Sequence, residues 1–285
     1  MEEGIGTCPE ALVEILVKAG LTFSQRKLLY RKLIEEGIYM VLKIQIAMAL
    51  LLFLIISSSC VIFESAEDCF NKGVKLSKQN KNEEAIKYFD KAIKINHKYV
   101  GAWYNKGVIL CYLKKNEEAI KCFDKAIEFD PKCVDAWYNK GLTLCYLEKN
   151  EEAIKCFDKV IEFDPKYVDA WDNKGVNLGR QNKYEEAFKC FDKALEINPM
   201  HANAWYNKGF FLTRMEKNEE AIKCFDKAIE FNPKYSKAFY NKGILLGHIN
   251  KYEEAIKYFD KAIEFDPDNA DAKTYKEKCL KALGK

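Results

Sequence analysis

Ala102-Trp103-Tyr104-Asn105-Lys106-Gly107 is the stretch that decides the fold, because it returns along the chain. Trp137, Trp171 and Trp205 follow Trp103 at intervals of 34 residues, Phe239 takes the next place, and one step back the slot holds Cys69. A fixed period of this size marks a stacked repeat architecture, whose units share a core with their neighbours. Six units result, 66–99, 100–133, 134–167, 168–201, 202–235 and 236–269, followed by 270–285.

The unit beginning at Val100 shows how each is built. Ala102 to Tyr112 carries its large apolar residues on a helical period, and Glu117 to Phe129 does the same with Ala119, Phe123, Ala126 and Ile127. Asn116 is placed to cap the second helix, and Pro131 blocks its continuation. Gly107 and Ala119 allow a close helix approach, with Trp103 and Phe123 filling the volume around them. After Pro267, the segment 269–283 reads as one more helix. Lys273, Lys276, Glu277 and Lys281 make it polar enough to cap the stack.

Trp103, Gly107, Ala119, Phe123, Ala126 and Pro131 together resemble the tetratricopeptide repeat, and the units containing Trp171 and Trp205 repeat the pattern. The unit of Trp137 departs at Val160, the first has Cys69 and His97 for Trp and Pro, and the sixth has Phe239. The resemblance implies an all-α, right-handed superhelical solenoid of six helix-turn-helix units with a C-terminal capping helix. It also implies a concave groove, lined by the first helices, that binds extended peptides or partner helices.

On a helical wheel the groove face falls opposite Gly107 and Leu110. Two after the Trp slot stands an invariant row: Asn71, Asn105, Asn139, Asn173, Asn207 and Asn241. An amide both donates and accepts, so this row could pair with both groups of a peptide backbone. It is similar to the asparagine ladder of tetratricopeptide superhelices that read peptide backbones; the alternative is that it bonds within the scaffold. Beside it lie Phe70, Tyr104, Tyr138, Tyr206 and Tyr240, with Asp172 interrupting the series. Five after the Trp slot every unit is apolar, and nine after come Lys78, Tyr112, Tyr146, Arg180, Arg214 and His248. Apolar residues turned from a helix core mark interaction surfaces, or are covered by the curvature of the stack. Asp172 and Arg180 are expected to set charge preference in mid-groove. The family's chaperone-tail clamp is not matched, because its Lys one after the Trp slot is here aromatic or Asp.

The remaining chain bounds the function. The 46 basic and 43 acidic residues leave a net charge of only +3, which gives no broad case for nucleic acid. Of eleven cysteines, Cys122, Cys156, Cys190 and Cys224 share one slot and Cys111 and Cys145 another. Equivalent helices lie ~8–10 Å apart, too far for disulfides, and no C-x-x-C occurs. They read as small apolar fillers in a reducing compartment. His97, His201 and His248 are isolated, there is no phosphate-binding loop, and the acidic turn 266–271 lacks the calcium-loop glycine. The chain is therefore read as non-enzymatic, without cofactor or metal.

Residues 1–37 are expected to form a helical pair, the first opened by Pro9 and stopped at Gly20, the second capped by Ser24 and ended by Gly37. Within 38–63, residues 44–63 read IQIAMALLLFLIISSSCVIF, twenty residues without a charge. That length crosses ~30 Å of hydrocarbon as a helix, so a single membrane span is expected. A signal segment starting at Met40 is the competitor, and Ser57-Ser58-Ser59-Cys60 distantly resembles a lipid-attachment site. Arg31, Lys32 and Lys43 before the run balance Lys72, Lys75 and Lys78 after it, so orientation is undetermined, with cysteine usage favouring a cytosolic repeat domain, 64–285. The functional expectation is a membrane-tethered scaffold holding a partner peptide. A self-associating solenoid and an exported or lipid-anchored adaptor are the alternatives.

Overall fold

The computed structural model describes residues 17, 19–32, 34–37, 40, 48 and 64–284. The chain divides into two units, Met1–Phe63 and Glu64–Lys285. In the first, residues 23–32 and 34–37 are helical. Thr22, not Ser24, caps this helix: Gln25 N–H donates to Thr22 Oγ1 at 3.4 Å while Gln25 Oε1 accepts from Thr22 N–H at 3.0 Å. The reciprocal pair satisfies two end donors at once, which a cap at Ser24 would not. Gly37 is itself helical and the two positions after it lie outside the described residues, while Gly20 has the expected left-handed φ of 70°. Arg31 pairs with Glu35 at 3.3 Å. The first helix of the expected pair and the uncharged run 44–63 lie outside the described residues, apart from a few positions. Among the described residues no helix is long and apolar enough to cross a membrane.

The second unit is helical throughout its regular structure, with no strand among the described residues. Six helix pairs follow in order: α1 (Ala66–Lys78) with α2 (Asn82–Ile95), α3 (Val100–Tyr112) with α4 (Asn116–Phe129), and α5 (Val134–Tyr146) with α6 (Asn150–Phe163). Next come α7 (Val168–Arg180) with α8 (Tyr184–Ile197), α9 (Ala202–Arg214) with α10 (Asn218–Phe231), and α11 (Ser236–His248) with α12 (Tyr252–Phe265). The capping helix α13 (Ala270–Ala282) closes the stack. Its N-terminus is capped by Asn269, whose Oδ1 accepts from Ala272 N–H at 2.9 Å. At the other end, Ser65 and Asp68 form a capping box that opens α1.

Each pair closes as the sequence implies. A Cβ on Gly107 would stand 2.6 Å from Phe123, and the same intrusion recurs at Gly73, Gly141, Gly175, Gly209 and Gly243. Phe89, Phe123, Phe157, Phe191, Phe225 and Phe259 are fully buried there. Burying each such ring contributes roughly 1.5–3 kcal/mol. The tryptophans behave differently from the expectation of core filler: Trp103, Trp137, Trp171 and Trp205 are only partly buried. Each instead donates its indole N–H to the carbonyl six residues upstream, at His97, Pro131, Pro165 and Pro199, over 2.8–3.0 Å. That bond fixes the turn entering the unit.

The turn inside each pair corrects a second expectation. Asn116 does not cap α4: it is the first helical residue, and Lys115 precedes it without a side-chain cap bond. The preceding helix is closed instead by its backbone, with Lys114 N–H donating to Cys111 O and Lys115 N–H to Leu110 O. That motif needs a left-handed residue, and Asn80, Lys114, Glu148, Asn182, Glu216 and Asn250 supply it with φ of 58–62°.

Neighbouring units register through a ladder of ion pairs. Lys106–Asp90, Lys140–Asp124, Lys174–Asp158, Lys208–Asp192 and Lys276–Asp260 span 2.5–2.6 Å, and Lys242 pairs with Asp226. Each first helix also touches the first helix of the next unit, and no comparable contact set joins consecutive second helices. The stack therefore curves with α1, α3, α5, α7, α9 and α11 on its inner side.

Candidate functional site

The inner face is built by the positions that the Trp slot leaves turned from the core. One and two after that slot, the structure brings the tyrosine and asparagine rows together across unit boundaries. Asn139 Nδ2 donates to Tyr104 Oη at 3.2 Å, Asn173 Nδ2 to Tyr138 Oη at 3.2 Å, and Asn241 Nδ2 to Tyr206 Oη at 3.0 Å. The same nitrogens donate to the carbonyls of Asp135, Asp169 and Lys237 one turn back. Asn105 makes only the latter bond, to Gly101 at 2.8 Å. Most amide protons of the row are thus committed to the scaffold, while no described group donates to the Oδ1 atoms of these asparagines. The expectation that each amide offers both a donor and an acceptor is corrected: the row presents acceptors.

The tyrosines are half-buried for the same reason. Tyr138 packs at a tilt against Tyr167 with ring centroids 4.9 Å apart and Tyr206 against Tyr235 at 5.0 Å, while Phe70 meets Tyr99 at 5.1 Å. Burial raises the phenol pKa of Tyr104, Tyr138 and Tyr206. Tyr240 packs on Tyr275 of the cap. Asn71 at the N-terminal end is exposed.

One junction departs from this pattern. Asp172 occupies the tyrosine slot, and His201 occupies the slot that holds Tyr99, Tyr167 and Tyr235 in other units. The aromatic stack is replaced there by a carboxylate facing an imidazole. Asp172 is buried, takes Asn207 Nδ2 at 3.0 Å on both oxygens, and lies 3.8 Å from His201 Nε2. Asp169 approaches the same nitrogen at 3.4 Å. Interaction with Asp172 foremost, against partial burial, raises the His201 pKa. Asp172 is therefore not offered to a ligand in mid-groove, as expected from sequence, but is consumed between units four and five. The signal that could have found this pair was present: two tyrosine slots depart at one boundary.

Further along the first helices exposure rises. Val108 is 37% exposed, and Tyr112 and Tyr146 reach 74% and 68%, whereas the tyrosines one after the Trp slot are half-buried. A recess of about 340 Å³ between these tyrosines is lined by Cys111, Leu142 and Thr143 together with Lys114, Asn116 and Asn139. Arg180 and Arg214 hold the same slot in the next two units and are exposed. Neither forms an ion pair with a described residue; Arg214 lies 5.7 Å over the Phe210 ring.

Sequence reasoning missed the contacts beneath this face. Cys111 Sγ meets Thr143 Oγ1 at 3.1 Å, Cys145 Sγ meets Asn177 Nδ2 at 3.0 Å, and at the next boundary the ring of Phe211 occupies the space beside Gly179. Asn177 is 1% exposed and its Oδ1 has no partner. Among the described residues all nine cysteines are free thiols, and burial pushes Cys122, Cys156, Cys190 and Cys224 up to about 11.

Comparison with known families agrees with this geometry. The tetratricopeptide repeat model matches residues 64–99, 100–133, 134–167, 202–235 and 236–269. The chain belongs to the tetratricopeptide repeat family. A second model, described as TPR repeat, matches 178–215. Residues 168–177, which include Asp172, lie outside both matches. None of the curated proteins compared with the chain matches it. Among solved structures the tetratricopeptide stack is similar to YrrB, described as "a TPR protein with an unusual peptide-binding site", at 28% identity and a TM-score of 0.51 over 66% of this chain and 97% of that one. It also resembles the Cut9-Hcn1 hetero-tetramer, at 16% identity and a TM-score of 0.63 over 76% and 43% of the two chains. MamA from Desulfovibrio magneticus RS-1 matches at 21% identity and 0.56 over 60% and 96%. The last two likenesses show the fold alone.

Proposed function

We propose that this protein is a non-catalytic scaffold that holds an extended segment of a partner protein against the inner face of α3, α5, α7 and α9. The observation that carries this reading is the exposure of Tyr112 and Tyr146, two aromatic rings at the same slot of neighbouring units on the inner face, around a recess of mixed polar and apolar lining. Large exposed aromatics on a concave face mark interaction surfaces, and aromatic and arginine side chains dominate binding hot spots. The Oδ1 atoms of Asn105, Asn139, Asn173, Asn207 and Asn241 supply acceptors at the repeat spacing for backbone N–H groups of the bound segment. The likeness to a peptide-binding tetratricopeptide protein supports the same reading.

The uncharged run 44–63 tethers this scaffold to a membrane. Its composition and length support a span, and the free thiols of the repeats suit a reducing, cytosolic side.

Site-specific photo-crosslinking in the source cells tests the binding face. A benzophenone side chain placed at Leu142 should yield polypeptide adducts, and one at Lys155 on α6 should not. The adducts should fall when Asn105, Asn139 and Asn207 are changed to Ala in a variant of unchanged helicity and melting. Equal adducts from both positions would reject the groove. For the tether, the full chain should stay with membranes through alkaline carbonate washing. Its release would exclude a span.

A further inference from the structure

Tyr112, Tyr146, Arg180 and Arg214 stand at one position, nine after the Trp slot, in four consecutive units, and all four are exposed. The row changes chemistry halfway, from two aromatic side chains around a recess to two guanidinium groups. These arginines differ from two sets of lysines that recur along the stack. On the second helices Lys125, Lys159, Lys193, Lys227 and Lys261 each meet a glutamate three residues on, at 2.6–2.8 Å. On the first helices Lys106, Lys140, Lys174, Lys208 and Lys242, three after the Trp slot, are tied down by the ion-pair ladder between units. Arg180 and Arg214 make no such pair, although Glu216 sits two residues beyond Arg214 in the turn. A planar guanidinium presents a fork that matches a carboxylate with two parallel hydrogen bonds, which an isolated ammonium does not. Two unpaired forks in register beside the tyrosine-rimmed recess form a charge-complementary surface for an acidic partner.

Resting on the groove reading above, we infer that this row recognises an extended acidic peptide, with two apolar residues seated at Tyr112 and Tyr146 and two carboxylates at Arg180 and Arg214. The spacing follows from the stack. Equivalent first helices lie ~8–10 Å apart and an extended chain advances ~3.3–3.6 Å per residue, so about three residues span one unit. The recognised segment therefore carries apolar residues at two positions three apart, followed or preceded, depending on chain direction, by acidic residues at the next two such positions.

Direct binding by fluorescence anisotropy tests this with the full chain in mild detergent and labelled synthetic peptides. The probes are Leu-Ser-Ser-Leu-Ser-Ser-Glu-Ser-Ser-Glu and its reversed sequence, with Gln, Lys and phosphoserine in place of Glu, and a version in which the same residues are scrambled. The expected result is that one Glu orientation binds at least tenfold more tightly than its Gln and Lys forms, and weakens with salt. Arg180→Gln with Arg214→Gln should remove the preference for Glu over Gln, and Tyr112→Ala with Tyr146→Ala should weaken the Glu and Gln forms alike. All four positions are exposed, so these changes leave the fold intact, and circular dichroism checks that they do. Equal binding of Glu, Gln and Lys peptides, or an undiminished Glu preference in the arginine variant, would overturn the acidic assignment while leaving the groove standing. A clear preference for phosphoserine over Glu would replace carboxylate by phosphate and likewise overturn it. Binding of no peptide of any charge would overturn both the assignment and the groove.

Discussion

Alanine at Gly179 places a Cβ 2.5 Å from Phe211 Cε1 and 2.6 Å from its Cζ. The ring has no room to yield. It is 2% exposed, stacks on Phe191 at 5.9 Å and 18°, and is met by Phe210 edge-on at 5.3 Å and by Tyr184 at 6.3 Å. Overpacking of this kind costs about 1–3 kcal/mol, while replacing a helical glycine by alanine returns about 0.8–1 kcal/mol. Gly179→Ala should therefore destabilise the protein by up to about 2 kcal/mol.

The same slot in the sixth unit supplies the control. Gly247 faces only Cys279 Sγ, and an added Cβ would lie at an ordinary 3.7 Å. Gly247→Ala keeps the propensity gain without the clash and should stabilise by up to about 1 kcal/mol. Urea denaturation followed by circular dichroism reads both. Phe211→Leu relieves the crowding, so adding Gly179→Ala to it should cost less than in the wild type, with a coupling of about 0.5 kcal/mol or more. If Gly179→Ala stabilises as much as Gly247→Ala, or if its effect is the same with Leu at 211, the reasoning from ring position fails.

Three further outcomes follow from the same contacts. Because Asp172 and Asp169 hold the His201 pKa above its ordinary ~6.5, the stability it supplies is full below that value and lost as pH rises through the raised one. The excess stability of wild type over His201→Gln should thus be larger at pH 6 than at pH 9, and a flat difference would refute the pairing. Cys122, Cys156, Cys190 and Cys224, with thiols pushed up to about 11, should react slowly with a disulfide reagent at pH 8 in the folded protein and at once in guanidinium. Glu148→Gly and Glu216→Gly, at φ of 58° and 60°, should each raise the unfolding free energy measured in urea by up to about 1 kcal/mol, since glycine adopts this conformation without a Cβ penalty.

How much of this was legible depended on whether a residue acts inside its own unit or between units. Gly107 against Phe123 lies within one unit and recurs with its spacing intact, so the helix pairing could be read directly. The contact of Tyr104 with Asn139 spans 35 residues, and a wheel drawn for a single helix turns both side chains towards solvent. That is why the asparagine row looked free and proved half-engaged. Caps were misplaced for a related reason. Asn116 has the right side chain, but the backbone of the preceding turn had already closed with Lys114 in the left-handed region, which no propensity for lysine foretells.

The junction between the fourth and fifth units shows what repeat symmetry hides. Tyr-on-Tyr contacts close the ends of units three and five, where the next unit begins, and a change in either partner alone could be excused as drift. Asp172 and His201 change together, and only their shared boundary gives the change a physical sense: a buried carboxylate without an aromatic partner needs donors and a nearby cation, and Asn207 donates to it while the His201 imidazole stands 3.8 Å away as its charge partner when protonated. Asp172→Tyr alone should then strand the imidazole against a ring, and Asp172→Tyr with His201→Tyr should rebuild the stack of the neighbouring junctions. Aromatic pairs contribute about 0.5–1.5 kcal/mol beyond their burial. The double variant should recover at least that much relative to the sum of the single changes, and should lose the pH dependence that His201 confers.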